Sequence, residues 1–314
     1  MSTPVSDGQL HRPLVSIIIN NYNYGRFLRE AIESALRQTW VNTEVIVVDD
    51  GSEDDSADII RSYGTSIVPV LKENGGQGSS FNAGFAASRG EIVCFLDADD
   101  VFLPGKAERL VQAWIDCPDA GLIYHQLLFI DRNGQPRRGR WPSFMLHGWL
   151  KDRVQSSGGW WPHPTTSGLT CSRDYLERIL PMPTPPYKLC ADAYVGGLAP
   201  FLTKVVGIRE PLALYRQHGM NNHSNPITNE TRARRQMNHY ELEFRQLQIA
   251  LRNRSVTGPA LSLDHHYPYQ WCKWKADAAA SMWKLFSTIL RTPSMPLAMR
   301  FKALWNTGVN SRLT

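Results

Sequence analysis

An α/β fold on a mostly parallel sheet is predicted by two features of this sequence. Short apolar runs alternate with helix-periodic segments through the first hundred residues, and a glycine-rich stretch feeds the start of a later helix. Val15-Ser16-Ile17-Ile18-Ile19 reads as a buried first strand. Phe27, Leu28, Ala31, Ile32, Ala35 and Leu36 then recur at the spacing of one helix face, before a turn at 38–40 into a second strand, 45–48. Ser52 or Asp54 caps a helix that runs to about Arg61. A third strand is read at 67–71 and a fourth at 92–96, while residues 74–80 hold too much glycine to begin as an ordinary helix. The helical pattern resumes over 81–88.

Phe102-Leu103-Pro104 leads into a helix through about Trp114, a strand is read over 122–130, and a turn at Asp131-Arg132-Asn133-Gly134. From 135 to 186 the pattern loosens into Gly, Pro and Trp, which reads as substrate-facing loops with one short helix near 173–180. Residues 192–199 are expected helical, 205–208 and 212–215 as short strands, and the chain beyond 228 as helical with breaks near 258–259 and 293–296. The expected organisation is a flexible start over 1–13, a main domain over 14–227 with halves at 14–115 and 116–227, and a helical extension over 228–314.

The chain has 314 residues, 42% hydrophobic and 20% charged, which suits a sizeable core and excludes collagen-like, disordered and disulfide-scaffold classes. Cys94, Cys117, Cys171, Cys190 and Cys272 are scattered without metal-ligand spacing, as expected of core thiols in a reducing compartment. The polar start lacks the pattern of a signal peptide, and no apolar run approaches the ~20 residues that span a bilayer, so a cytoplasmic chain is expected. From 230 to 314 there are 13 Lys and Arg against 5 Asp and Glu, leaving 21 against 24 in residues 1–229. The net +5 therefore belongs to the tail and is no argument for nucleic acid as a partner.

Asp49-Asp50 follows the second strand, and Asp97 and Asp99 follow the fourth. In open α/β sheets, ligands bind at the carboxyl ends of strands, so these acids converge on one crevice, although each alone would also serve as a helix cap. Clustered carboxylates are a natural seat for Mg²⁺ or Mn²⁺ bridging phosphate oxygens, which points to a diphosphate ligand and to Lewis-acid help for its departure.

Three segments, Val15-Ser16-Ile17-Ile18-Ile19-Asn20-Asn21-Tyr22-Asn23, Val47-Val48-Asp49-Asp50-Gly51-Ser52 and Leu96-Asp97-Ala98-Asp99-Asp100, resemble the family 2 inverting glycosyltransferases of GT-A fold, among them bacterial cell-surface polysaccharide enzymes. The resemblance covers roughly 14–220. It implies a metal-dependent transfer of a sugar from a nucleoside diphosphate-sugar, UDP by default, to an acceptor hydroxyl, in polysaccharide or glycolipid synthesis. It places Asn20, Tyr22, Asp50, Gly76, Asp97 and Arg216 at the donor, with Tyr22 stacking on the base, Asp50 bonding it and Asp97 near the ribose. Asp49 supports the turn. Asp99, with His218 from the segment Pro211-Leu212-Ala213-Leu214-Tyr215-Arg216-Gln217-His218, is implied to hold Mn²⁺ or Mg²⁺.

In Ala191-Asp192-Ala193-Tyr194, Asp192 matches the general base, without the Glu that often precedes it; a helix cap is the other reading of Asp192. The family's arginine in the stretch 79–84 is replaced by Phe81, so Lys72, the glycine-loop amides or Arg89 are left to contact the diphosphate. Ser167-Gly168 falls where members line the acceptor side. Trp141, Trp149, Trp160 and Trp161 offer faces for sugar rings or for loop packing.

The tail combines Trp271, Trp274, Trp283 and Trp305 with Lys273, Lys275, Lys284, Arg291, Arg300 and Lys302. Such helices suit either peripheral contact with an anionic membrane, as a lipid-linked acceptor would favour, or packing on the domain or on a second subunit. Two rival readings remain. A sugar nucleotidylyltransferase would carry a glycine-rich basic loop after the first strand, where this chain has Asn20-Asn21-Tyr22-Asn23. A non-catalytic binding module would bind donor without turnover.

Overall fold

A computed structural model describes residues 12–218, 230–258, 260–277 and 280–310. The first half is a run of alternating elements: β1 (Val15–Asn21), α1 (Gly25–Leu36), β2 (Thr43–Asp49), α2 (Ser56–Ser62), β3 (Val68–Leu71), α3 (Gln77–Ala87) and β4 (Ile92–Asp97). β1 and β2 are rich in β-branched residues, and with β4 they are buried almost throughout, as central parallel strands covered on both faces must be. Side chains alternate across the sheet. Val15, Ile17 and Ile19 enter one core layer with α1, and Ile18 enters the other with Phe81 of α3. α1 buries Phe27, Leu28, Ala31, Ile32 and Ala35 of the face its periodicity predicts, while Leu36, expected there too, is exposed at the end of the helix.

The rest of the domain comprises β5 (Val101–Phe102), α4 (Lys106–Asp116), β6 (Ala120–Asp131), β7 (Pro136–Trp141), α5 (Lys151–Ser156), β8 (Leu169–Ser172), α6 (Arg173–Ile179), α7 (Ala191–Leu202) and β9 (Lys204–Gln217). The sheet order is β3-β2-β1-β4-β8-β6-β9-β5, with β7 paired to β6. The four strands β3-β2-β1-β4 are parallel, as expected, and so is the pair β6 and β9. β8 corrects the expectation for 135–186: these residues are not all loops, because β8 runs antiparallel to both β4 and β6 and joins the two halves into one sheet. β9 is one long strand, not two, and it stays on β6 through shifts of register between Ala120 and Leu127.

The extension forms α8 (Glu230–Arg252), α9 (Tyr267–Ala276), α10 (Met282–Arg291) and α11 (Leu297–Asn310). α8 packs on α7 and α9 on α8, and Ala250, Leu251 and Leu261 belong to the second core layer, so this part of the tail is domain packing. Among the described residues no helix is long and apolar enough to cross a membrane. The expected flexible start and the boundary at 227–228 fall largely outside the described residues.

Candidate active site

Parallel register sets the acids side by side: Asn21 of β1 pairs with Asp49, and Asn20 pairs with Asp97. Asp49 accepts from Asn21 Nδ2 at 2.7 Å and from the Ser52 amide at 3.1 Å, so it supports the turn after β2. Asp50 is 3% exposed, and its carboxylate accepts from the Gly75 and Gly76 amides at 3.0 and 2.7 Å and from Lys72 Nζ. Two expected diphosphate contacts are thereby engaged elsewhere, because a buried carboxylate takes the glycine-loop amides and the lysine for itself. Arg89, the third, bonds Glu44 at the start of β2, the end of the sheet away from the acids. Tyr22, at the end of β1, is 45% exposed and presents an open aromatic face.

Asp97, Asp99 and Asp100 offer carboxylate oxygens within 4.8 Å of one another. Burial, then the charges of Asp99 and Asp192, push the Asp97 carboxyl well above its ordinary range; burial and the charges of Asp99 and Asp97 do the same to Asp100. Asp97 Oδ1 accepts from Asn20 Nδ2 at 2.7 Å and Gln77 Nε2 at 3.1 Å. Asp100 accepts from Ser167 Oγ at 2.6 Å and from the Arg216 amide at 2.8 Å. His218 Nε2 lies 2.8 Å from Asp99 Oδ2, its ring against Tyr24 and Phe27.

Arg216 is 2% exposed, and its guanidinium donates to the Asp99 carbonyl at 2.8 Å and to Glu30. Where a donor contact was expected, the side chain is buried and braces the main chain of the acidic turn. Ser167, expected on the acceptor side, is fully buried, and its Oγ accepts from the Asp97 amide at 3.1 Å while donating to Asp100. Trp161 is 1% exposed, with Nε1 donating to the Gly196 carbonyl, so it is core and not a sugar platform.

α3 begins at Gln77, four residues before the expected Phe81, with Gly76 at φ +85° ahead of it. Phe81 is fully buried and stacked on Phe95 at 4.1 Å between centroids. Gln77 is the residue the sequence reading missed. Its Nε2 donates to Asp97 and to Thr166 Oγ1, and its Oε1 accepts from the Ala191 amide at 2.9 Å, so one side chain ties the acidic turn to the start of α7. The polar residue interrupting a run of glycines is the signal that could have found it. Cys190, in the left-handed region at φ 61°, precedes α7, which places Asp192 within the first turn instead of at the cap. A carboxylate there is favoured by the helix dipole.

The residues fit a divalent cation. Asp97, Asp99 and Asp100 bring carboxylate oxygens within 4.8 Å of one another, His218 Nε2 lies 2.8 Å from Asp99 Oδ2, and hard oxygens with an imidazole beside them suit Mn²⁺ or Mg²⁺.

A twisted parallel sheet that gathers Asp-x-Asp acids at its strand ends, extended by a mixed half, defines a GT-A glycosyltransferase. The family model for glycosyl transferase family 2 matches residues 16–180, more than half of the chain, and the protein belongs to that family. It is 40% identical over 214 residues to an uncharacterised glycosyltransferase of Nostoc sp., a match covering 67% of this chain and 66% of that relative, just under two thirds of its length. Among solved structures, S. aureus TarS 1-349 in complex with UDP-GlcNAc gives a TM-score of 0.59 at 16% identity, over 89% of this chain and 82% of that one. The mannosyltransferase PcManGT from Pyrobaculum calidifontis, in complex with GDP-Man and Mn²⁺, gives 0.54 at 17% identity, over 97% and 82%. At these identities the likeness is one of fold.

Proposed function

We propose that this glycosyltransferase is metal-dependent and inverting, moving a sugar from a nucleoside diphosphate-sugar, UDP-sugar first, to the hydroxyl of a saccharide or lipid-linked saccharide in cell-surface polysaccharide or glycolipid assembly. The setting is cytoplasmic. The observation that carries the reading is the bridge through Gln77, which couples the Asp97 carboxylate to the helix start bearing Asp192. The bridge supports a reading in which a donor-side acid, Asp97, and an acceptor-side base, Asp192, share one frame.

In this reading Tyr22 stacks on the base and Asp97 orients the ribose, while Asp99 and His218 hold the cation. A divalent cation bound there would supply Lewis-acid stabilisation of the charge on the leaving diphosphate. The acceptor oxygen attacks the anomeric carbon as the bond from that carbon to the diphosphate oxygen breaks, and Asp192 takes the hydroxyl proton. Asn20, Gln77, Ser167 and Arg216 keep the acids in place. Both UDP- and GDP-sugars are held by proteins of this fold, so the screen must include both.

The test is a thermal-shift and transfer screen against UDP-, dTDP-, GDP- and CMP-sugars with and without Mn²⁺. One donor should stabilise the wild type only with metal. Asp99→Asn should lose that stabilisation, and Asp192→Asn should keep it while transfer falls by roughly 100-fold or more. Absence of a response to every donor with metal would sink the assignment.

A further inference from the structure

The last two helices carry a surface that sugar transfer does not use. On α11, Leu297, Phe301 and Trp305 recur every four residues and are 64%, 64% and 73% exposed, forming one stripe. Lys302 is exposed on one flank. Arg300 lies on the other, donating to the carbonyls of Leu290 and Met295 and so fastening the end of α10 to the start of α11. On α10, Trp283 and Leu290, 81% and 47% exposed, are seven residues apart on one face. Arg291 flanks it, while the opposite face buries Leu285, Thr288 and Ile289.

The connecting segment is anchored to the domain. Arg153 Nε donates to the Pro293 carbonyl and the Ser294 amide to Ser157 Oγ at 3.0 Å. The stripes therefore face outward from a fixed base. Residues 282–310 contain four cationic side chains, Lys284, Arg291, Arg300 and Lys302, and no Asp or Glu.

Charge decides the occupant. Lys284 pairs with Asp264 at 2.6 Å, but a second copy docking through the same face would still set Arg291 and Lys302 against their own kind. A bilayer with anionic headgroups supplies the opposite charge, and its headgroup–acyl boundary accepts Trp, Phe and Leu. We propose that α10 and α11 bind the surface of an anionic phospholipid bilayer, with Trp283, Phe301 and Trp305 entering the boundary and Arg291 and Lys302 meeting lipid phosphates. The contact lies along the surface. It stands independently of the catalytic roles assigned above.

Vesicle flotation tests this with extruded phosphatidylcholine alone and mixed with phosphatidylglycerol. The wild type is expected to float with the mixture and not with the neutral lipid, less so as salt rises. The triple substitution Trp283→Ala, Phe301→Ala, Trp305→Ala and the pair Arg291→Glu, Lys302→Glu should each lower partitioning roughly tenfold or more. All five side chains are exposed, so both variants should keep the wild-type Tm and donor hydrolysis. Failure of the catalytic reading would show as absent hydrolysis in every protein, and failure of this one only in flotation. No flotation, equal binding to neutral vesicles, or variants that float like the wild type would overturn the proposal. A wild-type dimer that the triple variant converts to monomer, with no vesicle binding, would assign the face to a second copy.

Discussion

Phe81 stands where the resemblance puts an arginine in many family members, and its surroundings tie it to this core. The ring is fully buried against Phe95 in the layer that also holds Ile18 and Val48. A guanidinium there would be desolvated without a partner. Phe81→Arg is therefore expected to cost roughly 3–5 kcal/mol and to leave donor KM no better; thermal melts and donor titration read the two effects. An unchanged Tm with a tighter KM would mean that the side chain reaches the crevice after all. Gln77 makes the opposite kind of contribution, small in burial and large in position. Removing its amide in Gln77→Ala frees Asp97 and the Ala191 amide together. The expected loss is about 1–3 kcal/mol of stability and roughly tenfold or more in kcat, with donor KM changed less. Gln77→Glu keeps the shape but adds an anion beside Asp97, so it should not rescue. Equal effects on kcat and KM, or full rescue by the glutamate, would count against a positioning role.

The start of α3 is set by a contact across the fold. Gly76 sits at φ +85°, and a Cβ there would lie 2.5 Å from Lys188 Cα, whose residue's carbonyl accepts from the Gln77 amide. Gly76→Ala is expected to cost about 1–3 kcal/mol and to lower kcat by displacing the segment that leads to Asp192. Gly64→Ala is the control: φ is +53°, but nothing lies within 4 Å, so backbone strain should act alone, with kcat unchanged. A Gly76→Ala protein with unaltered kcat would separate the loop from Asp192, the proposed base. The same element shows what sequence could and could not convey. β1, β2 and β4 were readable because strands buried on both faces are continuous apolar runs, and Asp50, Asp97 and Asp99 because they end or follow such runs. β7, with the sequence PRRGRW, is an exposed polar strand, and β8 has four residues, so neither leaves a periodic trace. The early start of α3 and the duty of Gln77 depend on Lys188 and Ala191, more than a hundred residues away, and glycine's helix-breaking tendency pointed the other way. Arg216 was recognised as important, but its burial follows from the unbroken run of β9, which the sequence reading divided.

The whole molecule is joined through the acidic turn, and Lys106 is the part of that joint open to a pH test. This lysine of α4 is fully buried, donates to the Ser167 carbonyl at 2.8 Å and lies over the Phe102 ring at 3.3 Å. Ser167 in turn holds Asp100 and the Asp97 amide, so the ammonium connects the first half of the domain to the turn that precedes β8. Burial lowers the Lys106 pKa to about 7, partly opposed by the neighbouring Asp100. The unfolded chain, with the ordinary value of 10.5, binds the proton more tightly than the folded chain does. Stability must then rise with pH between about 7 and 10.5, because the folded state sheds a proton that the unfolded state keeps. Below pH 7 both states carry the proton and the cost of burying the charge is present in full. Lys106→Met removes this dependence and leaves the Ser167 carbonyl without its donor, a loss that does not vary with pH. The stability difference, wild type minus Lys106→Met, should therefore grow by on the order of 2 kcal/mol from pH 6.5 to 8.5, with a limiting slope near ~1.4 kcal/mol per unit. Denaturant melts of both proteins across that range check it. A constant difference would show that Lys106 keeps its proton on folding, and the two halves would then be joined by a permanent buried cation.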